Sequence, residues 1–193
     1  GQSQARLGYL RLLLVGLILD NLILAFGSYL HASAWLEPAT RLRFFMHVTI
    51  LPFLTLYGLA VMRHVGVPVA RSKPFVIFCA CFTTAALIYG VTQDVVLLGE
   101  LKVVVMNGVM RMTAVSGGAP LATILTNLLL ILMGVAVWRA GGPAILLFGA
   151  AAIFLINGAM AGGPFGLFSG NFAEVIFMAC LLGSEGKLNC AAA

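Results

Sequence analysis

Charged residues are scarce in this sequence. Only 9% of its 193 residues are charged and 62% are hydrophobic, whereas about 25% of the residues of soluble domains are charged. This composition excludes a soluble globular domain and a disordered tail, because both need a polar surface. The net charge of +5 comes from 11 Lys and Arg against 6 Asp and Glu. On so apolar a chain a basic excess orients loops rather than binding nucleic acid, so we predict an integral membrane protein that binds no nucleic acid.

Cysteine is also scarce. The 4 cysteines include no C-x-x-C pair and no Cys/His cluster at zinc spacing, which excludes a disulfide scaffold and a structural zinc module. Cys79, Cys81 and Cys180 lie in apolar runs, where cysteine behaves as a small hydrophobic side chain. The sequence therefore assigns no metal site to its cysteines.

Long apolar runs fill most of the chain. A membrane-spanning helix needs about 20 mainly apolar residues, so about six such segments with short loops leave no room for a soluble catalytic domain. We predict an all-α, polytopic membrane helix bundle, with a kink at Pro52 in the second span, since membrane helices tolerate proline. Residues 1–193 form a single transmembrane domain with spans at approximately 7–30, 42–62, 74–98, 120–138, 144–160 and 165–182.

The segment 99–119, between the third and fourth spans, is too short and too charged to cross a membrane. Its Asn107-Gly108 pair lies between two β-prone runs, which is a hairpin signal. An interfacial helix or a re-entrant loop is the alternative, and the sequence does not decide between them.

Basic residues are distributed unequally between the two sides of the predicted bundle. One side receives Arg6, Arg11, Arg63, Arg71, Lys73, Arg139 and Lys187. The other side receives Arg41, Arg43, Lys102 and Arg111. By the positive-inside rule, both termini face the cytoplasm, the stroma or the matrix. A bacterial inner membrane and an organellar membrane (thylakoid or mitochondrial) both remain open.

Polar side chains inside the predicted spans gather in one half of the membrane. Neighbouring spans run in opposite directions, yet at 1.5 Å per residue these side chains lie about 5–15 Å from the non-cytoplasmic helix ends. Such groups face a bundle interior or a cavity. Glycines on the same helix faces favour the inward direction, because they allow close helix contact. The candidates are Asp20, Asn21, His47, Gln93, Asp94, Asn127, Asn157, Asn171 and Glu174.

These residues support three interpretations. They are interhelical hydrogen bonds, a ligand-binding pocket open to the non-cytoplasmic side, or a site of covalent chemistry. A lipid or a chlorophyll-type pigment suits such a pocket, and His47 is a candidate for a single axial ligand to a metal centre or a chlorophyll magnesium. The sequence assigns no other metal ligand and no catalytic residue.

For function we favour a non-catalytic integral membrane subunit. It would be packed in a larger membrane complex, such as an energy-converting one, and would hold lipid or pigment near the polar pocket. Its partners would be membrane lipids and either other membrane subunits or further copies of the chain. One alternative is a small proton-linked transporter or channel, using Asp20, His47, Asp94 and Glu174. Another is an intramembrane enzyme that modifies lipid with the same residues as acid and base.

Overall fold

The computed structural model describes residues 2–106, 108–115, 120–160 and 166–190, and most of these residues are helical. The helices are α1 (Gln2–Ala25), α2 (Gly27–Ala32), α3 (Leu36–Ile50), α4 (Leu54–Val65), α5 (Lys73–Val91), α6 (Leu121–Arg139), α7 (Ile145–Met160) and α8 (Gly166–Cys190). Two strands, β1 (Leu101–Met106) and β2 (Val109–Ala114), lie between α5 and α6.

Four helical segments in the described part of the chain are long and apolar enough to cross a membrane. They are Ser3–Ala25, Leu36–Val65, Lys73–Val96 and Leu121–Arg139, and Ile145–Met160 is a shorter apolar helix. Their length and composition indicate an integral membrane protein. The 25 residues of α8 are long enough to cross but include Glu174, Glu185 and Lys187.

The helices differ from the predicted spans mainly because several continue past charged residues near which the predicted spans end. Helix α1 begins at Gln2 and α8 continues to Cys190, beyond the predicted ends. Helix α1 ends at Ala25, however, five residues before the predicted end of the first span, and the separate helix α2 begins at Gly27. Helix α3 begins at Leu36, six residues before the predicted start of the second span, and Phe165 of the sixth predicted span lies outside the described residues. The kink predicted at Pro52 stays a prediction, but a 3₁₀ turn over Leu51–Phe53 separates α3 from α4 there, because proline lacks the N–H that an α-helix needs.

Helix α4 is the centre of the bundle. Seven of its residues are buried, among them Tyr57, Val61 and Met62, and it packs against α1, α5 and α6. Helices α6, α7 and α8 continue the bundle by packing in sequence, and α1 closes it by packing against both α3 and α8. The glycines expected at helix contacts lie there: an added Cβ would be within 4 Å of a side chain of another helix at Gly16, Gly58, Gly90, Gly134 and Gly170.

Strands β1 and β2 form an antiparallel hairpin at one end of the bundle. Their register runs from Leu101 opposite Ala114 to Met106 opposite Val109. Gly108 has φ +80°, a conformation that glycine adopts without strain, while Asn107 and residues 116–119 lie outside the described part. The interfacial-helix alternative does not hold for the two strands. We name this end of the bundle the hairpin end, and the end that holds Gln2 and Cys190 the terminal end.

The hairpin contacts the helices through a glycine. Strand β2 packs against α1, α2 and α3. At Gly27 in α2, an added Cβ would overlap the carbonyl oxygen of Met110. Because this oxygen belongs to the backbone, no side-chain rotation relieves the overlap. The close approach of α2 to the hairpin therefore requires glycine at this position.

We therefore expect Gly27→Ala to displace the hairpin. Overpacking of this kind costs about 1–3 kcal/mol of stability, which a lower thermal midpoint in detergent detects. Limited trypsin digestion then cleaves faster at Lys102 and Arg111, the two basic residues of the strands. Gly99→Ala is the matched control, because an added Cβ there meets nothing within 4 Å. Equal midpoints and equal digestion for the two variants would show that the contact at Gly27 does not hold the hairpin.

Candidate functional site

A cavity of about 740 Å³ lies inside the hairpin end of the bundle. Helices α1, α3, α6, α7 and α8 all contribute to its wall, and Met106 and Arg111 of the hairpin contribute to its cover. Along α1 it extends from Leu13 to Ile23, a length of about 15 Å at the helical rise. Its volume is within the range of about 300–1,000 Å³ that is usual for small-molecule sites.

The cavity wall is mostly apolar, and its polar side chains are gathered at the hairpin end, which we name the polar part. The deepest wall of the cavity, furthest from the hairpin, is formed by Leu13, Leu17, Leu54, Phe177 and Met178. The polar lining residues all lie nearer to the hairpin end, and they are Asp20, Arg43, His47, Arg111, Thr123, Thr126, Asn127, Asn157 and Glu174. Five of these were candidates from the sequence. The shape and lining suit a molecule with one polar and one apolar end.

An ion pair joins α1 to α3 in the polar part. The Arg43 Nε atom donates to Asp20 Oδ1 at 2.6 Å and a second nitrogen, Nη2, donates to Oδ2 at 3.3 Å. The side chains are 16% and 22% exposed. The two charges neutralise each other, and the two-point geometry fixes the orientation of the guanidinium group.

Two further charged side chains line the cavity without such a partner. Within the part of the chain that the structure describes, neither Arg111 nor Glu174 forms an ion pair, and the Arg111 Nε atom is buried without a hydrogen bond. Both lie within electrostatic range of Asp20 and Arg43. Burial lowers the pKa of Arg111, nearby Arg43 adds to the decrease, and Asp20 opposes it. An arginine remains charged despite such a decrease.

His47 lies between this cavity and a smaller one. The smaller cavity has a volume of about 150 Å³ and is lined by His47, Gln93 and Asp94 together with Tyr89. A π-helical turn over Thr92–Val96 follows α5 and carries Gln93 and Asp94 to this site, and such turns are frequent at functional sites. Because α3 begins at Leu36, His47 lies about 16 Å from that helix end, deeper than the predicted span implied. Its role as an axial ligand stays a prediction.

The remaining candidates form hydrogen bonds between helices. The Nδ2 atom of Asn171 donates to Oδ1 of Asn21 at 3.0 Å, which ties α8 to α1. Asn127 contributes in both ways: its Nδ2 atom donates to the Ala150 carbonyl of α7 at 3.2 Å, while its buried Oδ1 atom has no partner among the described residues. The sequence could not separate bonding from cavity lining, and the structure contains both.

A second charged site lies at the terminal end and was missed in the sequence. Arg6 Nε donates to Glu185 Oε1 at 2.7 Å, and the two side chains are only 1% and 2% exposed. The sequence prediction assigns Arg6 to the charges outside the spans and ends the last span at residue 182. It likewise counts Arg43 and Arg111 as charges of the non-cytoplasmic side. No signal in a single sequence pairs Arg6 with Glu185, although charges near span ends are candidates for such pairs.

Comparisons with models of protein families, with curated proteins and with solved structures found no match to this chain. Among the described residues, no group of three or more His, Cys, Asp or Glu side chains is arranged to hold a metal ion. The function is therefore argued from the cavity and its charges.

Proposed function

We propose that this protein is a polytopic membrane protein that holds a lipid in the cavity of its hairpin end. The observation that carries this proposal is that the polar side chains of one mostly apolar cavity are gathered under the hairpin, while its deep wall is apolar. A lipid is likewise mostly apolar with its polar groups at one end, so its acyl chains fit against Leu13, Leu54 and Met178 and its headgroup fits beside Asp20 and Arg43. Lipid contacts of this kind are driven by apolar burial and oriented by a few polar groups.

The bundle has six spans in this proposal, with α8 as the sixth and both termini on the cytoplasmic, stromal or matrix side. The charge asymmetry supports this orientation more strongly once buried arginines are set aside. Removing the buried Arg6 reduces the basic residues on the cytoplasmic side from seven to six. Removing Arg43 and Arg111, which line the cavity, reduces those on the other side from four to two. Six basic residues then oppose two, so the rule that basic loops stay inside places the cavity in the non-cytoplasmic half.

The protein is, in the same proposal, a non-catalytic subunit packed in a larger membrane complex. Large apolar side chains cover the outside of the bundle, among them Tyr29 at 77% exposed, Trp35 at 63% and Phe148 at 66%. Lipid tails satisfy such a surface, and so do the helices of other subunits. Purification in a mild detergent tests this part: stoichiometric partner proteins are expected, and a chain that purifies alone or only with copies of itself contradicts it.

Bound lipid is the direct test of the cavity. We expect the protein, purified in mild detergent, to retain about one lipid per chain in native mass spectrometry, as one site of this volume requires. Gly158 lines the cavity and an added Cβ there meets nothing within 4 Å. Gly158→Phe therefore adds a ring at the cavity wall without a clash at its Cβ, and we expect it to lower lipid retention at least about tenfold, which corresponds to about 1.4 kcal/mol.

The matched control is Gly8→Phe. Gly8 is also an open helical glycine, in α1, and does not line the cavity, so this variant retains lipid as the unmodified chain does. A lipid-free unmodified protein, or equal retention by the two variants, contradicts the proposed site. An absorption spectrum of the same sample distinguishes a bound pigment from a colourless lipid.

A further inference from the structure

The two unpaired charges of the cavity have opposite signs. Arg111 comes from the hairpin and Glu174 from α8, and both line the polar part. Each lies within electrostatic range of the Asp20–Arg43 pair, which is already neutral. An uncompensated charge is costly in apolar surroundings. A ligand that compensates both therefore carries an anionic group and a cationic group of its own.

Arg111 indicates the anionic group of the ligand. The guanidinium group is a planar fork of N–H donors that matches the oxygens of a phosphate. Its Nε atom is buried and has no hydrogen-bond partner among the described residues. A phosphate that binds here supplies the missing acceptor and the missing negative charge together.

Two hydrogen-bond acceptors on the cavity wall indicate the cationic group of the ligand. In its ionised form the carboxylate of Glu174 accepts hydrogen bonds and donates none. The Oδ1 atom of Asn127 is buried and unpartnered in the described part of the molecule. A primary ammonium group has three N–H donors, enough for both acceptors, whereas a quaternary ammonium group has no N–H and satisfies neither.

We propose that the cavity selects a zwitterionic phospholipid whose phosphate binds Arg111 and whose primary ammonium group binds Glu174 and Asn127. This inference rests on the proposed function, since it specifies the headgroup of the lipid held there. The paired Asp20 and Arg43 add no net charge, so the four charged side chains sum to zero. An anionic lipid leaves Glu174 uncompensated, and a choline headgroup leaves the acceptors without donors.

The test is a competition among three lipids with the same acyl chains. The delipidated full chain is mixed in detergent with equal amounts of dioleoyl phosphatidylethanolamine, phosphatidylcholine and phosphatidylglycerol, and the bound species are counted by native mass spectrometry. One hydrogen bond to a charged group changes affinity about tenfold, so we expect phosphatidylethanolamine to exceed each competitor by about that factor.

Two variants assign the preference to its residues. Glu174→Gln reduces the preference for the ethanolamine over the choline lipid to less than about threefold while lipid still binds. Arg111→Gln weakens all three lipids about tenfold and equally, because all three contain phosphate. Matched controls are Glu37→Gln and Arg41→Gln, which neutralise an exposed ion pair of α3 that does not line the cavity, and both keep the preference of the unmodified chain.

The outcomes separate this inference from the proposed function. Equal binding of the ethanolamine and choline lipids, or tighter binding of the glycerol lipid, overturns the headgroup assignment and leaves the lipid site intact. An unchanged preference in Glu174→Gln also overturns it. Failure of all three lipids to bind the unmodified chain, or binding that Gly158→Phe does not reduce, overturns the site itself.

Discussion

Arg6→Met is expected to lower the free energy of unfolding by about 3–5 kcal/mol, because removal of one partner from a buried ion pair leaves the other charge uncompensated. The surviving Glu185 side chain is 2% exposed, so water does not replace the lost guanidinium group. Its Oε2 atom already has no partner among the described residues. The measurement is the thermal or denaturant midpoint of the purified protein in detergent.

A double-mutant cycle distinguishes the ion pair from simple loss of packing. Arg6→Met combined with Glu185→Gln removes both charges, and replacement of a whole buried pair is often neutral or stabilising. We expect the double variant to recover most of the lost stability. Arg41→Met is the surface control: Arg41 and Glu37 are 45% and 51% exposed, and such pairs contribute about 0.2–1 kcal/mol. A loss in Arg6→Met no larger than in Arg41→Met would contradict the importance of the buried pair.

A second large loss of stability is expected when both carboxylates of the cavity wall are neutralised in one variant. Asp20→Asn with Glu174→Gln leaves Arg43 and Arg111 as neighbouring like charges with no carboxylate beside them. A single unpaired charge inside a membrane costs about 2.5–3.5 kcal/mol. We expect this double variant to lose at least about 3 kcal/mol of stability.

The matched comparison is Asp20→Asn with Arg43→Gln. It also makes two substitutions at the polar part, but it removes one charge of each sign and leaves the sum of the charges there at zero. Its expected loss is below about 1.5 kcal/mol, close to that of the neutral hydrogen bonds removed. Thermal midpoints of the two doubles in the same detergent measure the difference. If the midpoints coincide, the four side chains do not act as one neutral cluster.

Much of the fold follows from local sequence. Apolar length predicts the helices, and Pro52 predicts the break between α3 and α4, because both effects depend only on neighbouring residues. Asn107-Gly108 between β-prone runs indicates the hairpin, but only the structure distinguishes it from an interfacial helix. The inward direction of the polar side chains follows from helical spacing. Asp20, His47 and Glu174 each lie on the same helix face as a glycine, and such faces pack against other helices.

The charged pairs do not follow from local sequence. Arg6 and Glu185 are 179 positions apart, and either one alone resembles the charged end of a span. Arg43 lies at the very start of the predicted second span, 42–62, whereas α3 begins at Leu36 and places it further inside the helix. A single charge inside a membrane is costly, so charges usually mark the ends of predicted spans. Pairing two opposite charges reduces this cost. Span ends predicted from charges are therefore wrong where two opposite charges pair inside the bundle.

The position of the Arg6–Glu185 pair has a consequence for biosynthesis. A chain enters the membrane from its N-terminal part as it is made, so α1 is inserted while Glu185 has not yet been translated. Arg6 lacks this counter-charge until Glu185, 179 positions later in the chain, has been made. Docking of α8 then joins the earliest and the latest of the described helices. The ion pair therefore forms only after Glu185 of α8 has been made, and a nascent chain that stops before Glu185 keeps Arg6 as an unmatched cation.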